Sequence, residues 1–164
     1  MPSPNPYREF LANRNPRQVV ATTPEQVAAA VQQLGPGSLE RSYAPGKWSA
    51  REILCHLADC EIAFAFRLRQ ALAEPHHTIQ PFDQELWARR YAALDAQTAL
   101  HVFSGVRGWN LALLETVSPE DYAKPVTHPE RGEMTFETIV QTIAGHDLNH
   151  LRQLQTIVAS PGAL

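Results

Sequence analysis

Apolar residues recur every three to four positions in four long stretches of the chain, the spacing that is typical of helices with one buried face. Three of the stretches open on a residue that can cap a helix: Thr23, Ser49 with Glu52 as its capping-box partner, and Thr135. We therefore predict four long helices, at residues 23–34, 49–74, 95–117 and 135–160.

The segments between these helices carry turn and loop signals. Four prolines in residues 1–20 favour an extended N-terminal arm, and residues 75–82 indicate an extended connector. Asp83 can cap a short helix, and two prolines and a glycine in residues 124–134 favour a loop or short hairpin. The whole chain, 1–164, is predicted to be one all-α domain, a four-helix bundle with long connectors after its second and third helices.

The bulk composition excludes several classes of function. With 44% apolar residues, 14 Lys and Arg against 17 Asp and Glu, and a net charge of -3, the chain has no basic excess for nucleic acid. We expect no secretion signal and no membrane span, so the prediction is a cytoplasmic protein. Cys55 and Cys60 lie five positions apart on one predicted helix and point to different faces, which favours reduced thiols.

A histidine pair on the last helix carries the first indication of chemistry. His146 and His150 are four residues apart, so their imidazoles project from one face, one turn apart. They follow the apolar series through Ile139 and Ile143 and therefore face the bundle interior, where two unpaired imidazoles are costly. A metal ion would satisfy both, although hydrogen-bonded core histidines remain the alternative.

His56 strengthens the metal hypothesis because it lies at the edge of the apolar stripe of the second helix. Three inward histidines from two helices suit one divalent ion with an open coordination position. Asp59 and Asp147 are candidate carboxylates that would accept hydrogen bonds from the metal-binding imidazoles and orient them. Alternatively, each is a charged residue on a solvent-exposed helix face.

Other readings of these residues are weaker. HDLNH could be a degenerate HExxH protease motif, but Asp147 is shorter than the required Glu and no third downstream ligand follows. Cys55 could be a nucleophile or ligand, against the simpler interpretation of a small buried residue. His76 and His77 could add a ligand from the connector, against the simpler interpretation of a surface loop, and His101 and His128 are assigned to surface or capping roles.

Several segments resemble the DinB-like superfamily of bacterial four-helix metalloproteins and, within it, the YfiT-like branch. KWSAREILCHLADCE is similar to the signature of the family's second helix, with Trp48, Ser49, His56 and Asp59 at its characteristic positions. EPHHTIQPFDQELWA resembles the segment that follows, and HPERGEMTFETIVQTIAGHDLNHLRQL resembles the loop and final metal helix. The likeness spans most of residues 40–157.

The resemblance implies a bundle with long crossover connections and a zinc or nickel ion on His56, His146 and His150, with water completing the shell. Members of this superfamily are frequently homodimers, so the resemblance also implies a homodimer here. Relatives include thiol S-transferases that use bacillithiol or mycothiol, a thiol-dependent maleylpyruvate isomerase and metal-dependent hydrolases.

The leading functional hypothesis is therefore transfer of a low-molecular-weight thiol to a small electrophile by a metal-bound thiolate. A hydrolase that uses metal-bound hydroxide and a protein that binds a metal or ligand without turnover are the alternatives.

Overall fold

A computed structural model describes residues 4–160. It contains four long helices and two short ones: α1 (Arg8–Leu11), α2 (Pro16–Leu34), α3 (Ala50–Ala73), α4 (Gln84–Ala88), α5 (Ala96–Leu114) and α6 (Phe136–Ala159). The predicted caps of α3 and α6 are confirmed. Ser49 accepts from the Glu52 amide at 3.2 Å, and Thr135 accepts from the Thr138 amide at 3.3 Å.

The long helices form a bundle in which α2 packs against α6 and α5, and α3 packs against α5 and α6. Around the bundle the order is therefore α2, α6, α3, α5. Two pairs of consecutive long helices therefore lie diagonally opposite in the bundle. One pair is α2 and α3, and the other is α5 and α6. The connections within each pair must cross the ends of the bundle, as the predicted long-crossover topology requires.

Two apolar clusters fill the bundle and meet at the middle of α3 and α6. One includes Ile53 and Leu57 of α3 with Leu154 of α6, and the other includes Phe64 of α3 with Ile143 of α6. His56 lies near the junction on α3, and His146 and His150 lie between the two clusters on α6. The histidines thus replace apolar side chains where the two halves of the core meet.

The connectors contribute a small sheet. Its strands are β1 (His77–Thr78), β2 (Pro125–His128) and β3 (Gly132–Thr135). Strand β1 pairs in parallel with β2, and β2 pairs antiparallel with β3. The hairpin predicted within residues 124–134 is confirmed, and Val126 lies opposite Met134 in it. This sheet holds the turn between β2 and β3 beside α3.

The predicted extended arm over residues 1–20 is wrong for most of its described part. Helix α1 lies within it, and α2 already begins at Pro16, where Asn15 accepts from the Gln18 amide at 3.2 Å. Pro16 occupies the first turn, where its missing N–H is not needed. Pro24, predicted to start the helix, lies inside it. Residues 1–3 and 161–164 lie outside the part of the chain that the structure describes.

Within residues 4–160, no helix is both long enough and apolar enough to cross a membrane.

Candidate metal centre

The structure brings the three predicted ligands together. His56 of α3 and His146 and His150 of α6 each present one ring nitrogen within 4.8 Å of the others. The Nε2 atoms of His56 and His146 are 3.0 Å apart. Two imidazole nitrogens bound to one tetrahedral zinc are separated by roughly 3.3 Å, given bonds of about 2.0–2.1 Å. The spacing of these two nitrogens therefore fits a shared ion.

All three rings are buried and are held in the neutral form that binds metal. Burial, followed by the neighbouring His150, lowers the pKa of His56 to about 3. Burial lowers the pKa of His150 to about 4 and brings that of His146 well below its ordinary value. A metal ion therefore has no bound protons to displace at neutral pH.

Gln153 fixes the tautomer of one ligand. Nδ1 of His150 lies 2.8 Å from Oε1 of Gln153, one turn along α6. Because an amide oxygen only accepts, the proton of His150 lies on Nδ1 and its Nε2 carries the free lone pair. An ordinary metal-binding histidine has the same kind of outer partner. Neither predicted outer carboxylate makes such a bond to the three histidines.

Asp147 instead belongs to a separate buried ion-pair network, so its predicted role in orienting a histidine is wrong. Both its oxygens accept from Arg107, at 2.6 and 3.1 Å, and Glu61 accepts from the same guanidinium at 2.7 and 2.9 Å. Residues next to one another on a helix point about 100° apart. Asp147 therefore faces away from the site that its neighbour His146 enters. Asp59 is half-buried, and burial raises its pKa.

The two cysteines have different surroundings. Sγ of Cys60 lies 3.4 Å from Nε2 of His56, so this thiol borders the site. Cys55 belongs to the apolar core and is 2% exposed. Burial raises the pKa of both thiols, that of Cys55 to about 11. Both are free, and at neutral pH both are protonated.

Aromatic side chains surround the three histidines. The Trp48 ring stacks near His150, with centroids 6.3 Å apart and planes inclined at 18°, and lies 4.7 Å from the His56 ring. Tyr7 and Phe64 meet the His146 ring edge-on at 5.3 and 5.7 Å. These rings pack against the imidazoles and restrict their orientation.

Two cavities border the histidines. The first, here called the Cys60 cavity, has a volume of about 290 Å³, and its lining includes Tyr7, Cys60, Phe64, Arg67, Arg131 and His146. The second, the Trp48 cavity, measures about 390 Å³, and its lining includes Tyr43, Lys47, Trp48, His150 and Gln153. A larger cavity of about 840 Å³ lies between α1, α2 and α6 and contains none of the three histidines in its lining.

The other histidines lie outside the site. His76 and His77 occupy the connector, where His77 pairs with Glu74 at 2.7 Å and His76 contacts Thr127 at 2.7 Å. His101 is exposed on α5. His128 was expected at the surface or as a cap, but it is buried and lines the Cys60 cavity. It lies at the end of β2, whose pairing with β3 could not be read from histidine spacing.

The donor set fits a divalent metal ion. Three neutral, buried imidazoles converge, and the cluster contains no carboxylate or thiol among residues 4–160. Such a set accepts zinc, nickel and other borderline ions and leaves a coordination position open.

Known proteins share this chain's fold and sequence pattern. A "Putative metal-dependent hydrolase" of Oceanobacillus iheyensis is 28% identical over 135 residues, 82% of this chain and 78% of that protein. One of the same description from Bacillus mycoides is 26% identical over 141 residues, 85% of this chain and 82% of the relative.

A solved structure, YfiT from Bacillus subtilis, superposes with a TM-score of 0.80 at 23% identity, covering 87% of this chain and 83% of its own. It is described as "a probable metal-dependent hydrolase with an unusual four-helix bundle topology". The fold is therefore shared. The model of the DinB superfamily matches residues 20–154, a range that contains all three histidines. The chain belongs to the DinB superfamily.

Proposed function

We propose that this protein is a metal-dependent enzyme that transfers a low-molecular-weight thiol, such as bacillithiol, to an electrophilic small molecule. The observation that carries the proposal is that two cavities border one three-histidine cluster, at His146 and at His150. A transfer reaction has two organic reactants, and each cavity can hold one of them next to the same ion. Hydrolysis needs room for only one.

The nearby carboxylates also favour a thiol as the nucleophile. Glu61 and Asp147, the buried acids next to Cys60 and His146 in the sequence, both bind Arg107. Neither is free to take a proton from the nucleophile. A thiol has a pKa of about 8.5, against about 15.7 for water, so it loses its proton far more readily without a buried base.

A bound divalent ion would supply Lewis-acid chemistry, lowering the pKa of a thiol or water that reaches its open position. In the proposed transfer, the thiol sulfur forms a bond to the electrophilic carbon. The leaving group departs with its bonding electron pair, and the thiol proton passes to solvent. The rings of Trp48, Tyr7 and Phe64, of which Phe64 is buried, would limit the access of water to this step.

Hydrolysis is the second candidate, and the names of the relatives favour it. Both reactions would use the same three histidines, so the discriminating variable is the requirement for a thiol. Protein loaded with zinc or nickel would be assayed with monobromobimane with and without added thiol, and with p-nitrophenyl acetate in the absence of thiol.

Thiol binding gives a test that does not depend on the choice of electrophile. Tag-free protein loaded with cobalt would be titrated with cysteine, glutathione and bacillithiol. We expect a sulfur-to-cobalt charge-transfer band with at least one thiol. The band should be lost in His150→Ala and kept in His101→Ala, which alters an exposed histidine on α5. Ester hydrolysis that needs metal but no thiol, with no such band, would support the hydrolase instead.

A further inference from the structure

Two arginines without carboxylate partners lie in the lining of the Cys60 cavity. Arg67 comes from the C-terminal third of α3 and Arg131 from the turn between β2 and β3. His146 and Cys60 line the same cavity, so the cations share it with a predicted metal ligand. A charged group that is half-buried without a counter-ion is costly unless something else neutralises it.

The side chain of Arg67 is held in place by aromatic rings. Its guanidinium carbon lies 5.9 Å from the centroid of Phe64 and 5.4 Å from that of Phe82. Its Nη2 donates to the carbonyl of Gln80 at 3.1 Å. This is its one hydrogen bond to the part of the chain that the structure describes, so most of its five N–H donors remain for a ligand.

Arg131 is less restrained. Among residues 4–160 its side chain has no ion pair and no hydrogen bond, although it is half-buried. Burial lowers the pKa of Arg67, and the charge of Arg131 lowers it further, so the two cations are close enough to repel. Arg107 shows the contrast, because two carboxylates and a main-chain carbonyl accept from it.

His128 adds a neutral donor to the same cavity. Its Nδ1 accepts from the main-chain amide of Glu130 at 3.2 Å, which leaves the proton of the neutral ring on Nε2. Burial and the charges of Arg131 and Arg67 lower the pKa of His128. The cavity therefore gathers two guanidinium groups and an imidazole N–H, a set of donors suited to an anion.

We infer that Arg67 and Arg131 bind the carboxylate of a small organic acid in the Cys60 cavity, with the rest of the molecule extending toward His146. This inference rests on the proposed function, because it names the chemical class of one reactant at that same site. The planar fork of each guanidinium can donate two parallel hydrogen bonds to a carboxylate.

Charge and size favour a monocarboxylate over a phosphate dianion. The cavity lining contains Arg67, Arg131 and one carboxylate, the exposed Glu130, so its formal charge without metal is +1. A single carboxylate neutralises it. The volume of about 290 Å³ is at the lower end of the range for small-molecule sites. Phe64 and Phe82 supply apolar surface for the body of the ligand.

Isothermal titration of the full chain with benzoate would test the inference, with benzamide as the neutral analogue of the same shape. Titrations would be run on metal-free and zinc-loaded protein, since a carboxylate can also bind the ion directly. The variants are Arg67→Gln and Arg131→Gln. Arg152→Gln is the matched control, because Arg152 is exposed and lines the large cavity away from the histidines.

We expect benzoate to bind with equal affinity to the metal-free parent protein and to Arg152→Gln. Its affinity for Arg67→Gln and for Arg131→Gln should be at least about tenfold lower, because each variant loses a charge-assisted hydrogen bond. Benzamide should not bind comparably. Equal binding of benzoate to all variants, or none to the parent, would overturn the inference. Tighter, arginine-dependent binding of inorganic phosphate would overturn the choice of carboxylate.

Arg67→Lys and Arg131→Lys extend the test in case either glutamine variant does not fold, as judged by circular dichroism. Lysine keeps the charge but loses the bidentate fork, so we expect intermediate affinity, and unchanged affinity would count against the inference. The metal-free titration separates this inference from the proposed function. Arginine-dependent benzoate binding can persist when thiol transfer fails, and thiol transfer can persist when benzoate binding fails.

Discussion

Arg107 donates a hydrogen bond from Nη1 to the main-chain carbonyl of Val20 at 2.9 Å. Val20 lies four positions before Pro24, and proline has no N–H with which to make the helical bond to that carbonyl. The guanidinium of α5 therefore replaces the donor that α2 lacks. Its other donors go to Glu61 and Asp147, so one arginine joins α2, α3, α5 and α6.

Replacing Arg107 by methionine should destabilise the protein by about 3–5 kcal/mol, because it leaves two buried carboxylates and a carbonyl without their donor. Urea unfolding at neutral pH measures this loss. Arg17→Met is the control, since Arg17 pairs with Glu115 on the surface, with side chains 42% and 77% exposed. That change should cost less than about 1 kcal/mol.

Adding Glu61→Leu and Asp147→Leu to Arg107→Met should recover much of the lost stability, because the unpaired charges are then removed. A triple variant as unstable as the single one would show that packing around Phe103, whose ring centroid lies 4.9 Å from the guanidinium carbon, carries the effect instead.

Gln153→Leu should weaken metal binding by about 10–100-fold without abolishing it, the usual effect of losing an outer partner of a ligating histidine. The variant removes the acceptor at 2.8 Å that places the proton of His150 on Nδ1. Competition titration with a chromophoric zinc chelator gives the affinity. Gln155→Leu on the exposed side of α6 should bind zinc like the parent. Equal affinities for both variants would remove Gln153 from the metal site.

Metal-free protein should lose stability as the pH falls from about 6.5 to about 4. The folded state lowers the pKa of His56 to about 3 and of His150 to about 4, so the unfolded chain takes up protons first. The contribution of these histidines to the free energy of unfolding is fully present above the unfolded pKa of about 6.5. Below that pH it falls by up to about 1.4 kcal/mol per pH unit for each histidine.

Urea unfolding of metal-free protein at several pH values in this window measures the slope. His56→Gln should reduce the slope, because glutamine does not titrate, whereas the exposed His101→Gln should leave it unchanged. Parallel slopes for the parent and His56→Gln would contradict a neutral, buried His56.

The parts of this structure that were predictable depend on residues close together in the sequence. Ser49 and Glu52 mark the start of α3 because both halves of a capping box lie within one turn. The spacing of His146 and His150 sets them on one face of α6, and flanking isoleucines show that the face is buried. These local relationships were enough to place His146 and His150 together, whereas His56, 90 residues before His146, was added from its place on the apolar stripe of α3 and from the family resemblance.

What could not be predicted depends on distant contacts. Pro16 and Pro24 both resemble helix starts, and only the approach of Arg107 to Val20 shows how Pro24 is accommodated inside α2. Gln153 and Gln155 look alike in the sequence until the bundle buries one side of α6. Arg67 and Arg131 meet only because β2 and β3 carry their turn to the side of α3.

Gly145→Ala should separate the N-terminal segment from α6. A Cβ at position 145 would lie 2.5 Å from the main-chain oxygen of Tyr7 and 2.6 Å from its Cβ, so the backbone of residue 7 must move. Overpacking of this kind costs about 1–3 kcal/mol. Hydrogen exchange should quicken at the amides of α1. Metal affinity should also change, because the Tyr7 ring packs edge-on against His146.

Gly108→Ala on α5 is the matched control, because Gly108 is exposed and, apart from the adjoining residues and backbone of its own helix, no described atom lies within 4 Å of an added Cβ. Alanine has the higher helix propensity, so this change should stabilise the protein by about 0.5–1 kcal/mol. The two substitutions are chemically identical and should act in opposite directions. If Gly145→Ala also stabilises the protein and leaves exchange in α1 unchanged, the N-terminal segment does not pack closely on α6 in solution.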